Sequence, residues 1–344
     1  MAPTAGAEAG GWQRSLARAV SDVGELCELL GLDRRQLPGI DPESDFPLRV
    51  PRSFVARMRR GDPLDPLLRQ VLPLERERLP VAGFTCDPLA ETDASPAPGL
   101  LHKYRGRVLL LAAGACGVHC RYCFRRHFPY AEHRPWAADW RPALDYIAGD
   151  REIAEVILSG GDPLTASDRR LSRLADDLAA VPHVRRLRLH TRMPVVLPER
   201  VDDSLLRWLK RSRLETVVVI HANHAREIDG EVRRALGRLA AAGVTLLNQS
   251  VLLKGVNDRP EDLEALSEAL FAAGVLPYYL HLLDRVHGAA HFEVDEAAAR
   301  DLVRELIERL PGYLVPRLVR EVPGVPAKVP VPFAAGPAER TKRH

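Results

Sequence analysis

The sequence predicts an α/β fold, a partial (β/α)6 barrel of the TIM type preceded by a helical extension. From residue 107 onward, six short apolar runs (108–112, 154–158, 184–189, 216–220, 244–251 and 276–282) alternate with charged stretches of helical texture at 167–180, 201–210, 225–242, 261–273 and 296–310. Strands separated by helices run parallel, because parallel neighbours need crossover connections. Those crossovers are right-handed, so six such units curl into an incomplete barrel. Every apolar run also leads into polar or glycine-rich residues, and the carboxyl ends of barrel strands are where active sites form.

Taken in order, residues 12–31 place Trp12, Leu16, Val20, Val23, Cys27 and Leu30 at three- and four-residue steps, which predicts one amphipathic helix. A proline-punctuated stretch follows, with short helical pieces at 51–60 and 66–71. Residues 79–99, rich in Pro, Asp and Thr, read as loop. The organisation expected is a helical leader over 1–100, the barrel over 101–311 and a C-terminal segment over 312–344.

Composition narrows the function classes. A chain of 344 residues with 46% hydrophobic and 28% charged residues is ordinary globular material. Its net charge of +3 is spread over 49 basic and 46 acidic side chains, which gives no pull toward nucleic acid or an anionic membrane. No run reaches the roughly 18 apolar residues of a membrane span, and the start lacks a basic-then-apolar export pattern, so a soluble cytoplasmic protein is expected. The basic tail Arg340-Thr341-Lys342-Arg343-His344 reads as a disordered end. The cysteines are an odd five, three of them crowded together, which points to metal or redox chemistry and not to a disulfide framework. Only five of the basic residues are lysine (Lys103, Lys210, Lys254, Lys328 and Lys342), so any function that needs a primary amine has few candidates.

The residues after each apolar run carry the chemistry. Cys116, Cys120 and Cys123 follow the first, and Ser159-Gly160-Gly161-Asp162-Pro163 the second. His190-Thr191-Arg192 follows the third and His221-Ala222-Asn223-His224 the fourth. The fifth ends at Asn248-Gln249-Ser250, with Asn257-Asp258 beyond, and the sixth runs into His281 and Asp284. Thiolates spaced as Cys116-x-x-x-Cys120-x-x-Cys123 can grip three corners of a cubane cluster and leave the fourth iron open. The competing reading is structural zinc completed by Cys86, His119 or His127, but no second paired half is present.

That cysteine spacing, after the first strand of a βα barrel, resembles the radical S-adenosylmethionine superfamily, and Gly160-Gly161-Asp162 resembles its glycine-rich loop after the second strand. The resemblance implies a [4Fe-4S] cluster on Cys116, Cys120 and Cys123. It also implies S-adenosylmethionine bound at Ser159, Gly160, Gly161 and Asp162, although Asp162 alone would read as a helix cap. The strings Cys120-Arg121-Tyr122-Cys123-Phe124-Arg125-Arg126-His127-Phe128, Leu101-His102-Lys103-Tyr104 and Asn248 to Asp258, with Pro277-Tyr278-Tyr279 and Gly312 to Pro316, are similar to the lysine 2,3-aminomutase branch. Val50 to Phe54, Asp65 to Val71 and the compact C-terminus resemble its short bacterial members that serve elongation factor P.

This branch implies pyridoxal 5'-phosphate held as a Schiff base, which requires a primary amine. Lys328, in Gly324-Val325-Pro326-Ala327-Lys328-Val329-Pro330, matches the position, although the loop lacks the long glycine run of many members and has Val329 where Thr is common. Arg125 matches the arginine that takes the substrate α-carboxylate, a bidentate task. Asp258 and Glu321 match the acids that receive the substrate ammonium, and Arg107 and Lys103 are expected at the cofactor phosphate. Each would otherwise be a surface, turn or ion-pair residue. The implied partners are L-lysine, a flavodoxin- or ferredoxin-like electron donor and, functionally, elongation factor P and its lysyl ligase; homo-oligomerisation is compatible with the sequence. The competing functions are a catabolic or osmolyte-forming amino-acid 2,3-aminomutase and a zinc-stabilised binding protein.

Overall fold

A computed structural model describes residues 11–332 apart from 38, 92–93 and 131–139. The basic tail therefore lies outside the described residues. Nine strands form one sheet in sequence order: β1 Leu100–Tyr104, β2 Arg107–Ala113, β3 Glu155–Gly160, β4 Arg186–Thr191, β5 Glu215–His221, β6 Thr245–Val251, β7 Leu276–His281, β8 Arg317–Arg320 and β9 Val329–Pro330. Strands β2 to β8 pair in parallel, each with the next, while β1 and β9 pair antiparallel at the two edges. The sheet is thus an open barrel, as expected. The parallel set runs one strand further than the six apolar runs, because β8 joins it from the segment assigned to the C-terminus.

The connecting helices Asp168–Ala179, Asp203–Arg211, Gly230–Ala241, Pro260–Ala272 and Glu296–Arg309 match the charged stretches within a few residues. Three start at aspartates, Asp202, Asp229 and Asp295, whose carboxylates accept backbone N–H groups of the first turn. Period-two alternation in the strands sorts side chains between two environments. Val108, Leu110, Val156, Leu158, Leu187 and Leu189 pack outward into the core. Arg107, Leu109, Ile157, Ser159, Arg188 and His190 line the interior.

The leader differs from a single helix. Val20 exchanges two backbone hydrogen bonds with Val50 (2.8 and 2.9 Å), and Asp22 caps a new helix by accepting from Glu25 N. Two short helices result, Gly11–Ala17 and Val23–Leu30. The apolar periodicity was nevertheless informative, since Trp12, Val20, Val23, Cys27 and Leu30 are all buried. Leader residues Trp12, Leu26, Phe54 and Leu67 belong to the same core cluster as Val108, Leu187 and Val218 of the barrel. Cys27 is buried, whereas Cys86 is exposed.

Candidate active site

A cavity of about 250 Å³ opens at the carboxyl ends of the strands. At one end lie Cys116, Cys120 and Cys123, with Ser159, Gly160, Gly161 and Asp162 beside them. Tyr104, Arg107, Tyr279, Asp284, Glu321 and Lys328 lie at the other.

The thiol end is built by two loops zipped together. Gly161 N donates to Ala113 O and Asp162 N to Ala115 O, both at 2.8 Å. A Cβ on Gly160 would fall 2.7 Å from Ala113 O, and one on Gly161 would fall 2.4 Å from Ala115 O, so only glycine lets the loops meet. Asp162 caps the turn Pro163–Thr165 and also accepts from Thr191 Oγ1 (2.6 Å) and Arg192 N (2.7 Å). Its carboxylate is spent on loop architecture, which leaves the loop backbone and Ser159 as its share of a ligand site. Burial pushes the Cys116 thiol well up and Cys123 to about 11. Thiols so disposed lose their protons to a metal centre and not to solvent. Among the described residues no three Cys, His, Asp or Glu side chains are gathered closely enough to hold a single metal ion. A cluster that takes one thiolate on each of three irons asks for three cysteines facing one cavity, and this donor set supplies them. The zinc alternative loses its candidate fourth ligands, since none of Cys86, His119 and His127 lines the cavity that holds the three cysteines.

Arg125 is buried, and its fork is already occupied. Nε and Nη2 donate to Glu91 at 2.6 and 2.8 Å, and Nη1 donates to Ser159 Oγ at 3.0 Å. Lys103 Nζ donates to the same Glu91 carboxylate at 3.1 Å. Glu91, in the proline-rich loop of the leader, was not singled out from the sequence. Its only signal there was an acidic residue between two aspartates, which marks a loop equally well. The Lys103 charge is therefore spent on Glu91, whereas Arg107 has no ion-pair partner among the described residues and lies over the Tyr104 ring, 4.6 Å from its centre.

At the amine end Lys328 Nζ donates to Glu321 and stands 5.6 Å from the centre of the Tyr279 ring. Tyr104 Oη donates to the other Glu321 oxygen at 3.1 Å. Burial works to raise the Glu321 carboxyl, but Lys328, Lys103 and Tyr104 together hold it below the ordinary range. Asp284 is pushed up to about 7, by burial first and by the Glu321 charge second. Asp258 is not brought to this cavity. Its carboxylate accepts Gly255 N at 2.8 Å and closes the turn after β6, half-buried and away from Lys328, which corrects the expectation placed on it. Asp284, just past the end of β7, lines the cavity instead. Finally, Nε2 of His190 and of His281 is buried with no protein partner, and burial pushes both imidazoles well below their usual range. Both line the cavity as neutral rings with an unused polar atom, which fits a site built around a polar ligand.

Fold and site together define an open α/β-barrel protein of enzyme type, with a thiol-lined end and an amine-bearing end sharing one cavity. No protein-family model matches the chain. It is 52% identical over 322 residues to the L-lysine 2,3-aminomutase of Escherichia coli, covering 93% of this chain and 94% of that protein. It is 48% identical to the Haemophilus influenzae protein of the same name, covering 92% and 94%. Against that of Clostridium subterminale it is 34% identical, covering 93% and 77%. A solved radical SAM methyltransferase from Sphaerobacter thermophilus aligns with TM-score 0.44 at 20% identity over 64% of this chain and 68% of that one. The chain belongs to the L-lysine 2,3-aminomutase family.

Proposed function

We propose that the protein is an L-lysine 2,3-aminomutase, an isomerase that moves the α-amino group of lysine to the β-carbon by radical chemistry. The observation that carries this reading is the meeting, in one cavity, of the three-cysteine loop with a lysine flanked by two acids, in a chain 52% identical to a protein of that name. When bound, a cluster-held S-adenosylmethionine supplies a carbon-centred radical, and pyridoxal phosphate supplies a ring that delocalises the unpaired electron.

The protein's own residues bind and orient. Cys116, Cys120 and Cys123 are assigned to the cluster, and the 159–162 loop backbone to S-adenosylmethionine. Lys328 provides the amine that anchors pyridoxal phosphate, and Arg107, unpaired and facing the cavity, provides a cation for its phosphate; Lys103 contributes through Glu91. Arg125 Nη1, beside Ser159, receives the substrate carboxylate, while Asp284 and Glu321 receive its side-chain ammonium. Two acids at that end favour a cationic side chain over glutamate, whose carboxylate they would repel. Glu91 of the leader loop and Lys328 both line the cavity, from which a radical reaction demands that water be kept out.

Two finer assignments follow. A flavodoxin- or ferredoxin-like donor supplies the electron. The product serves elongation factor P and its lysyl ligase, a reading supported by the likeness of Val50 to Phe54 and of Asp65 to Val71 to the short bacterial members. The test is anaerobic incubation of iron- and sulfide-reconstituted, reduced protein with L-lysine, S-adenosylmethionine and pyridoxal phosphate, with β-lysine resolved chromatographically. Absence of β-lysine from protein with a full cluster refutes the activity. Elongation factor P that keeps its normal mass in a strain lacking the gene refutes the second assignment alone.

A further inference from the structure

Arg192 is the first residue after β4, and its side chain reaches the cysteine loop. Nη1 donates to Cys120 Sγ at 2.8 Å and to Tyr122 Oη at 2.7 Å. Nη2 donates to Gln70 Oε1 at 2.6 Å and to Glu227 Oε2 at 3.0 Å. The backbone N of Arg192 is bound in turn to Asp162 at 2.7 Å. One residue therefore joins four segments: its guanidinium ties the cysteine loop, the leader and the loop after β5, and its backbone N ties the glycine-rich loop.

Its surroundings hold it there. Arg192 is 6% exposed, and Gln70, Glu227 and Asn223 are fully buried. The Phe54 and Tyr122 rings lie 5.3 and 5.8 Å from its guanidinium carbon. Glu227 is itself fixed by Gln70 Nε2 (3.0 Å), Asn223 N (2.9 Å) and His224 N (3.1 Å). Both terminal nitrogens of the guanidinium are doubly paired, while Nε is buried without a partner, and the one sulfur contact falls on a cysteine assigned to the cluster.

We propose that Arg192 is a positioning residue that tunes the reduction potential of the cluster through Cys120, with Glu227 as the counter-charge that limits its effect. The inference rests on the assignment of an iron–sulfur cluster to the three cysteines. The chemistry is electrostatic. Reduction adds one electron to the cluster, and a cationic N–H donor on a ligand sulfur stabilises the more negative state, so it raises the potential. Tyr122 Oη and Asn223 Nδ2, 2.7 Å apart, support the same corner from the far side. Gln70 ties the tuning to the leader, since its own carbonyl accepts Arg121 N in the cysteine loop at 2.9 Å.

The test is potentiometric titration of the reconstituted full-length protein, followed by electron paramagnetic resonance of the reduced cluster, with iron and sulfide content measured for every sample. Arg192→Met removes cation and donor and is expected to lower the potential. A shift that cuts the ratio of reduced to oxidised cluster about tenfold at fixed solution potential is about 59 mV for one electron. Glu227→Gln keeps the guanidinium but removes its counter-charge, and is expected to shift the potential the opposite way. Arg192→Lys, which keeps the charge but cannot reach four acceptors, is expected to fall between Arg192→Met and the parent. Cluster-loaded Arg192→Met at the parental potential overturns the inference. Should that variant fail to hold iron, a Glu227→Gln potential equal to or below the parent's overturns it instead. Parent protein without iron and sulfide defeats the cluster assignment itself, a distinct result.

Discussion

Replacing Gly161 by alanine adds one methyl group where two loops touch. The new Cβ would stand 2.4 Å from Ala115 O, 2.8 Å from Ala115 C and 3.0 Å from Ala115 N, all backbone atoms that cannot swing aside as a flexible side chain would. Ordinary contact begins near 3.4 Å, so the loops must part by about 1 Å. The bonds Gly161 N to Ala113 O and Asp162 N to Ala115 O, both 2.8 Å, run through the same seam and cannot both survive that opening. A lost hydrogen bond costs about 1 kcal/mol and overpacking about 1–3 kcal/mol, giving about 2–4 kcal/mol in all. The functional loss is larger, because the displaced loop carries the assigned S-adenosylmethionine backbone contacts and a misplacement of about 1 Å can cost about 100-fold in rate. Denaturant midpoints read the first effect, and calorimetric titration with S-adenosylmethionine and turnover read the second, at matched iron content. A Gly161→Ala protein with parental stability and parental S-adenosylmethionine affinity would refute the close approach of the two loops and the binding role with it.

Other perturbations separate the remaining parts of the site. Lys328→Ala is expected to lose the absorbance of bound pyridoxal phosphate and all turnover while keeping iron and sulfide; full activity ends the assignment. Glu91→Gln leaves Arg125 and Lys103 without their shared carboxylate, and breaking such a buried pair costs about 3–5 kcal/mol; the denaturant midpoint should fall and KM for lysine should rise more than kcat falls. Asp284 has its carboxyl raised to about 7, above its ordinary value. The unfolded chain therefore ionises first, and this group makes the substrate-free protein less stable as pH rises from about 4 to about 7. Thermal midpoints across that range should show the loss in the parent and not in Asp284→Asn. Lysine affinity should weaken in the parent below about pH 7, where the carboxyl takes up its proton.

The barrel was legible because its signal is periodic. Outward positions such as Leu187 and Leu189 must be apolar to meet the helices, while Arg188 and His190 between them face a polar cavity, and that alternation is visible in any window of a few residues. Strand β8 escaped notice because only Leu318 and Val319 of its four residues are buried, too short a run to declare itself. The split of the leader helix was hidden for a different reason. The pairing of Val20 with Val50 is a tertiary choice that overrides a continuous helical pattern. In the site, the three cysteines and Lys328 stand out in the sequence as rare residue types, and all four line the cavity. Asp258 was a misassignment of a kind that sequence invites, since an Asn-Asp pair after a strand suits both a turn and an acidic pocket, and only the bond to Gly255 N distinguishes them. Asp284 sat in view after the sixth run without a reason to prefer it, because its value depends on facing Glu321 and Lys328 from elsewhere in the chain.

The leader follows from the same physics. Three of its residues end on arginines of the site. Gln70 accepts from Arg192, Glu91 from Arg125, and Glu77 from Arg121 Nε and Arg126 Nη2, both at 2.9 Å. Arg121 lies between Cys120 and Cys123 and Arg126 three residues beyond, and Arg121 is fully buried beneath the Phe46 ring. The charges of Arg125 and Arg126 work against burial at the Cys123 thiol, but buried guanidinium groups are stable only when paired. The barrel's own Glu227 pairs Arg192, whereas Arg121, Arg125 and Arg126 take their carboxylates from Glu77 and Glu91 of the leader. On this reading the leader is part of the active site by electrostatic necessity: stripped of it, the cysteine loop would carry uncompensated charge in a dry pocket and would not hold its shape for any cofactor.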